Sequence, residues 1–398
     1  MESYRNSAVV IFYKLSLLIL FVSSMYPWFF WGIWSMYFSL LGIISAFLIL
    51  VLRRDLIDVE GKKLYMSFFL FLVLFWQGLH CTLGGFVEWC CVFYTLHVII
   101  MFKTSFKAEL LCFITKFFGF FIFFSLIAYL LWLVNINLPC GVSFEGSEYE
   151  GYNYYLFCIA RYLVFPRFSS VFAEPGHLTM GIIPLLCVNK FNLNNKYVII
   201  FLVAELFTLS LAGYVCIAFV ALYYSLYLKK IRKWLFVSIV ILITSVGWID
   251  KNISSDNLFK TLIIERVQSY YQDDHSEEMG DRFKDNTIEA YNRLKKSPLI
   301  LWGLGLTEEG FNAQNGSSGY IVYILFYGVL GLVLLALFYV GYFCIYKSLA
   351  GKVTLFVYIL LFIQNSYPFW YCYVFCFLIG LPLLKEYEKS TVVLPSKE

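Results

Sequence analysis

The sequence predicts an all-α polytopic integral membrane protein. It reads as a single integral membrane domain over 1–398, with about twelve transmembrane helices and two large extracytoplasmic loops. Three observations predict this. Hydrophobic residues make up 61% of the chain and charged residues only 14%, whereas soluble domains are about half apolar and about a quarter charged. The apolar residues come in runs of roughly 20, the length that crosses a hydrocarbon core. Lysine and arginine, finally, favour alternate connections between those runs, the pattern that orients a multi-pass chain.

The runs place spans near 8–26, 28–52, 64–80, 85–102, 110–134, 175–189, 197–211, 213–228, 234–249, 318–346, 353–368 and 370–384. The two around Ala212 and Gly213 also read as one bent unit. The first run lacks a small-x-small cleavage site and leads straight into the second, so it reads as a retained helix rather than a signal peptide. The 42 Phe face lipid or pack between helices, and many of the 31 Tyr belong at the interfaces.

With the N-terminus inside, the inner connections hold Arg53, Arg54, Lys62 and Lys63, then Lys103 and Lys107, Lys190 and Lys196, and Lys229, Lys230, Arg232 and Lys233. Lys347 and Lys352 follow, and Lys385, Lys389 and Lys397 lie in the tail. The short outer connections, near Pro27, 81–84, Ala212 and Phe369, contain no lysine or arginine. Both termini are therefore expected on the cytoplasmic side. The net charge of +4 is absorbed by this orientation and is no sign of a nucleic-acid partner.

Two long connections, 135–173 and 250–317, fall on the outer side and carry ten basic residues between them. The first combines Glu145, Glu148 and Glu150 with Tyr149, Tyr152, Tyr154, Tyr155 and Phe157. Carboxylates and aromatic faces suit sugar rings, and Tyr154 is a candidate substrate contact; an interfacial aromatic belt accounts for the same residues. The second reads as helical over 265–271 and 281–296. Most of the eleven cysteines sit in apolar runs as small buried side chains. Only Cys140 and Cys158 lie in an external loop, where a disulfide is conceivable.

The most informative stretch is RFSSVFAEPGHLTMGIIPLL, beginning at Arg167. Pro175 fits the first turn of a helix, where its missing N–H costs nothing. Glu174 then stands at the helix entrance, where free N–H groups and the dipole favour an anion. Arg167, Arg161 and His177 lie close enough in sequence to meet it, although Glu174 as a plain helix cap fits equally well. The second stretch, GDRFKDNTIEAYNRLKKSPLILWGLGL, starts at Gly280. Arg282 leads an amphipathic helix that ends at Pro298, Gly303 and Gly305 form a turn, and Asn315 precedes the next span. Arg293, Lys295 and Lys296 read as a solvated face, as do Asp273, Asp274 and His275. Gln77, Glu88, His97 and Glu205 are intramembrane polar groups, either paired within the bundle or lining a path.

These features resemble a family. An arginine-led segment with a proline turn enters a mid-protein span. A large outer loop follows later, with an arginine-led helix, a P-L-x-x-x-G-x-G turn and an asparagine before a Y-I-x-x-I-L-x-x-G-x-x-G span. The chain is similar to the bacterial O-antigen polymerases (Wzy type), of the O-antigen polymerase and ligase superfamily. Where the ligases carry a Ser-Arg and a His-Asn pair, this chain reads Leu209 to Gly213 and Gln314-Asn315, which points away from a ligase.

The resemblance implies a glycosyltransferase of GT-C-like architecture in the bacterial cytoplasmic (inner) membrane. Its substrate would be undecaprenyl-diphosphate-linked oligosaccharide in the membrane lipid, and a chain-length-regulating co-polymerase is an implied partner. The growing glycan would pass from its lipid diphosphate to the non-reducing end of an incoming repeat. Arginine's planar fork bonds phosphate bidentately without losing its proton, which suits Arg167 and Arg282, with Arg161 and Arg266 in reserve. Glu174, then His177, are the candidate proton acceptors for the attacking hydroxyl. With arginines serving the diphosphate, no metal or other cofactor is required. An O-antigen ligase and a lipid-linked oligosaccharide flippase or ion-coupled carrier are the alternatives. A carrier is expected to show related halves and midplane broken helices, and this sequence has no visible internal repeat.

Overall fold

A computed structural model describes residues 2–141, 151–160, 167–227, 285–305, 319–364 and 367–392. The described chain is overwhelmingly helical: α1 (Glu2–Ser23), α2 (Ser35–Leu52), α3 (Gly61–Leu79), α4 (Leu83–Met101), α5 (Thr104–Leu133), α6 (Pro175–Val188), α7 (Lys196–Thr208), α8 (Leu211–Tyr227), α9 (Asp285–Lys295), α10 (Tyr320–Ile345), α11 (Leu349–Gln364) and α12 (Tyr371–Val392). Among the described residues, α2, α3, α4, α5 and α10 are each long and apolar enough to cross a membrane. The shortest of these, with 18 residues, spans about 27 Å at 1.5 Å per residue. Exposed Phe47, Phe68, Phe120 and Leu337 on these helices show what a lipid-facing surface requires. Each hydropathy span overlaps a helix, with ends that differ by up to eight residues, except over 234–249, which lies outside the described residues along with the expected helix 265–271.

The chain divides into two compact units. The first comprises Met1–Phe121, Pro184–Ile199 and Arg282–Glu398, the second Ile122–Ile183 and Ile200–Asp281. In the first unit α3 packs against α4 and α10, α1 against α2 and α12, and α11 against α12.

Basic residues knit the α2–α3 and α4–α5 connections together at one end of this unit. Ile57 and Phe102 form an antiparallel bridge, flanked by Asp58 N donating to Met101 O at 2.8 Å and Lys103 N to Leu56 O at 2.9 Å. Lys63 Nζ donates to Asp58 Oδ2 at 2.7 Å and to the Phe102 carbonyl at 3.3 Å. The Lys63 ammonium holds the Asp58 carboxyl below the usual carboxylate range. Lys14 pairs with Glu109 at 2.9 Å. The fully buried Lys107 donates to the Ile100 carbonyl at 3.2 Å and the Tyr342 hydroxyl at 3.3 Å. These lysines lie on connections that the charge pattern assigns to one side.

Three expectations need correction. The region 28–52 is not one helix: Pro27 starts a short 3-10 turn, Trp28–Phe30, and α2 begins only at Ser35. Proline's fixed φ favours such a turn, and Gly32 at φ 78° continues the bend. Within the connection 135–173, Gly151–Asn153 (β1) and Cys158–Ala160 (β2) pair antiparallel with Tyr152 opposite Ile159. Cys140 and Cys158 are both free thiols; Cys158 is buried, donates to the Val171 carbonyl at 3.9 Å, and burial pushes its thiol up to about 12. The bend expected at Ala212 and Gly213 falls earlier, at Leu209, which takes φ 49° between α7 and α8.

The predicted amphipathic helix is α9, whose Ala290 and Leu294 bury against Leu325 of α10. Its Arg293 and Lys295 are exposed, with Lys296 just beyond, as the solvated-face reading holds. Gly303 and Gly305, at φ 85° and 67°, turn the following segment back onto α10. There Leu304 N donates to Leu325 O at 2.6 Å and Gly305 N to Phe326 O at 3.0 Å. α10 itself breaks at Gly328, with φ 67° and ψ 179°.

Candidate functional site

In the second unit Arg167 reaches the end of α7, and Glu174 and His177 lie at the start of α6. Pro175 occupies the first helical position of α6. Glu174 precedes it, half-buried, its carbonyl accepting from His177 N at 3.1 Å, and His177 follows one turn into the helix, also half-buried. The strand pair is tied to this segment: Cys158 N donates to Ser170 O at 2.7 Å, and Ser169 Oγ to Cys158 O at 2.9 Å. Ser125 on α5 donates to the Leu156 carbonyl at 2.7 Å and lies 2.8 Å from Ser170 Oγ. Tyr154 stacks on Phe157 with ring centroids 4.9 Å apart and planes 9° apart, and Trp132 lies beside both. That aromatic cluster is carried by the β1–β2 ribbon and the end of α5.

Arg167 is anchored by the end of a helix. Its Nε donates to the Thr208 carbonyl at 2.9 Å and its Nη2 to the Leu209 carbonyl at 3.2 Å. These are carbonyls that the break at Leu209 leaves without helical partners, at the negative end of α7, where a cation is favoured. The planar fork is thereby held in a fixed orientation with part of its five N–H donors committed. One turn back on α7, Glu205 is fully buried. Its Oε1 accepts from Thr179 at 2.7 Å and from Thr208 at 3.3 Å, while Oε2 has no partner among the described residues. A side chain at Gly213 would collide with this carboxylate. Glu205 is therefore paired within its helices, as one of the two sequence readings has it, but only through one oxygen. Arg161, Arg266, Arg282 and Asn315 lie outside the described residues.

A second constellation, which the sequence does not announce, lies in the first unit. A cavity of about 790 Å³ opens among the α1–α2 connection, the start of α4, the chain before α12 and the first turns of α10. Small-molecule sites run from about 300 to 1,000 Å³. Three of the short connections that carry no basic residue, near Pro27, 81–84 and Phe369, meet here. Its walls are aromatic, with Trp31, Trp34, Trp89, Tyr327 and Trp370 among them. Tyr367 and Trp370 stack in parallel, 5.2 Å between centroids.

Among the cavity's polar side chains, which include several serines and tyrosines, are Glu88 and Gln77. Glu88 accepts from Ser35 at 3.2 Å and Ser39 at 3.4 Å. Gln77, only 1% exposed, donates from Nε2 to the Tyr323 hydroxyl at 2.8 Å, and its Oε1 has no donor among the described residues. Sequence reading marked Gln77 and Glu88 as intramembrane polar groups but missed the aromatic residues that surround them. The signal was present in the tryptophans of 28–34 and in the Tyr367-Pro368-Phe369-Trp370-Tyr371 run.

No protein-family model matches this chain, and neither a curated protein nor a solved structure matches it.

Proposed function

We propose that the chain is a membrane-embedded polysaccharide polymerase of the O-antigen type, in a bacterial inner membrane with both termini cytoplasmic. It transfers a growing glycan from undecaprenyl diphosphate to the non-reducing end of an incoming lipid-linked repeat, without a metal. About twelve spans and two outer loops complete this reading, with a co-polymerase as the partner that sets chain length. The observation that carries it is the Arg167–His177 segment, which sets a fixed guanidinium fork and a carboxylate before one helix and an imidazole in its first turn.

Each of these groups has a task in the reaction. The arginine fork neutralises the departing diphosphate, and Arg282, Arg161 and Arg266 are assigned to the same charge. Preorganised charge of this kind contributes on the order of several kcal/mol to barrier lowering in a partly dry site. Glu174 accepts the proton of the attacking hydroxyl, with His177 as the second choice. Asn315 and Tyr154 hold sugar.

A carrier reading would build on the broken helix α10, since discontinuous helices often bind ions. At Gly328, however, protein groups occupy the exposed carbonyls: Trp76 Nε1 donates to Tyr327 O at 2.8 Å and Gly305 N to Phe326 O. The break serves a folded turn. Deleting the gene in its host is expected to leave surface glycan as a single repeat unit on its acceptor, read on a glycan gel. Loss of all glycan, including that first unit, contradicts polymerisation and points to a flippase or ligase.

A further inference from the structure

We propose that the aromatic cavity of the first unit is a saccharide-binding site that holds neutral sugar rings of the glycan through stacking and through the acceptors Glu88 and Gln77. That the sugar is this protein's own repeat rests on the polymerase reading above; the chemistry of the cavity does not.

The buried Gln77 amide is the sharpest indication. A buried polar atom without a partner is uncommon and calls for an explanation, because leaving it unpaired costs about 1–3 kcal/mol. Gln77 Oε1 is such an atom on the cavity wall, its own Nε2 already committed to Tyr323. A ligand hydroxyl supplies the missing donor. Glu88, on the neighbouring helix, offers carboxylate oxygens whose protein partners are two hydroxyls at 3.2 and 3.4 Å, both long for O–H donors. Shorter bonds from a ligand would improve on them.

The charge balance selects the part of the substrate. Among the described residues lining the cavity there is no lysine, arginine or histidine, and Glu88 is the one carboxylate. Such a site repels a diphosphate and accepts a neutral polyhydroxylated group. An organic cation is the other ligand that aromatic faces attract. Against it stand the Gln77 carbonyl and the Tyr323 hydroxyl, which accepts from Gln77 and keeps its own proton to donate. Donors and acceptors placed together among flat faces match a sugar, whose hydroxyls do both. The parallel Tyr367–Trp370 pair and the 63%-exposed Trp34 provide platforms for the C–H face of a ring.

The test titrates the full-length protein in lipid nanodiscs with free repeat-unit oligosaccharide, prepared from the host's surface polysaccharide by partial acid hydrolysis. Tryptophan fluorescence is the readout and tetramethylammonium chloride the comparison probe. Saturable change with the oligosaccharide is expected. Glu88→Ala and Trp34→Ala should each weaken it by on the order of tenfold to a hundredfold, the scale of hydrogen bonds to a charged group. Glu88→Gln, which keeps an acceptor and preserves the fold if alanine does not, should weaken it by less than about tenfold. Unchanged affinity in Trp34→Ala and both Glu88 variants overturns the assignment, as does saturation by tetramethylammonium with no response to the sugar. Ladder synthesis is measured on the same preparations. Variants that polymerise and bind like the wild type sink the cavity and spare the polymerase. Binding that the variants abolish, in a wild type that makes no ladder, does the reverse.

Discussion

Arg167→Ala is expected to abolish long glycan chains while the protein still inserts in the membrane, and Arg167→Lys to fare little better. Two bonds fix the guanidinium, at 2.9 Å to Thr208 O and 3.2 Å to Leu209 O, from two different nitrogens. A lysine ammonium is a point charge on a flexible stem and cannot span both carbonyls while presenting a flat edge to phosphate. Removing preorganised positive charge from a transition state costs about 10²–10³ in rate, enough to empty the upper part of a ladder. The same change leaves the end of α7 without its cationic cap, a loss of about 0.3–2 kcal/mol. A thermal scan on each variant separates the two contributions. Wild-type ladders from Arg167→Lys would show that the fork has no part in the chemistry.

Gly328→Ala is expected to be the most destabilising single methyl in the described chain. With φ 67° and ψ 179°, Gly328 occupies a region of backbone space that is essentially glycine's alone. An added Cβ there would overlap the Leu301 carbonyl on the turn that folds back against α10. Strain of about 1–3 kcal/mol is the backbone part, and displacing the turn adds the bonds of Leu304 and Gly305 to α10. A loss of about 3 kcal/mol or more in denaturant unfolding follows. Gly84→Ala is the control, since a Cβ there meets only open space on α4. A Gly328→Ala protein as stable as the Gly84→Ala protein would contradict the broken-helix geometry.

Much of the fold was legible because hydropathy and charge act locally. The central parts of α3, α4, α5 and α10 follow from apolar runs, and Pro175 marked the start of α6 without any tertiary information. Where the reading stopped, the cause lay in contacts distant in sequence. Gly328 in a span looks like a packing glycine until the turn at Leu301–Gly305 is seen to press on it. The carbonyls that hold Arg167 lie on the far side of α6 in sequence and belong to the backbone, which carries no compositional signal. Glu205 was visible as an odd charge in a span, but its partners Thr179 and Thr208 were not.

The aromatic cavity shows the same limit most plainly. Its walls come from stretches near Pro27, Cys81, Tyr323 and Phe369, each of which alone reads as an interfacial belt. The combination expected of the first long loop, aromatic faces with a carboxylate, also occurs in this cavity.

The measurement that bears most directly on the proposed activity uses purified protein and a defined undecaprenyl-diphosphate-linked repeat, with products resolved by size. A ladder of lengthening chains, with undecaprenyl diphosphate released at each step and no metal added, is the result this account predicts. A repeat that stays at unit length, or that crosses the bilayer of a vesicle without being joined to another, contradicts it.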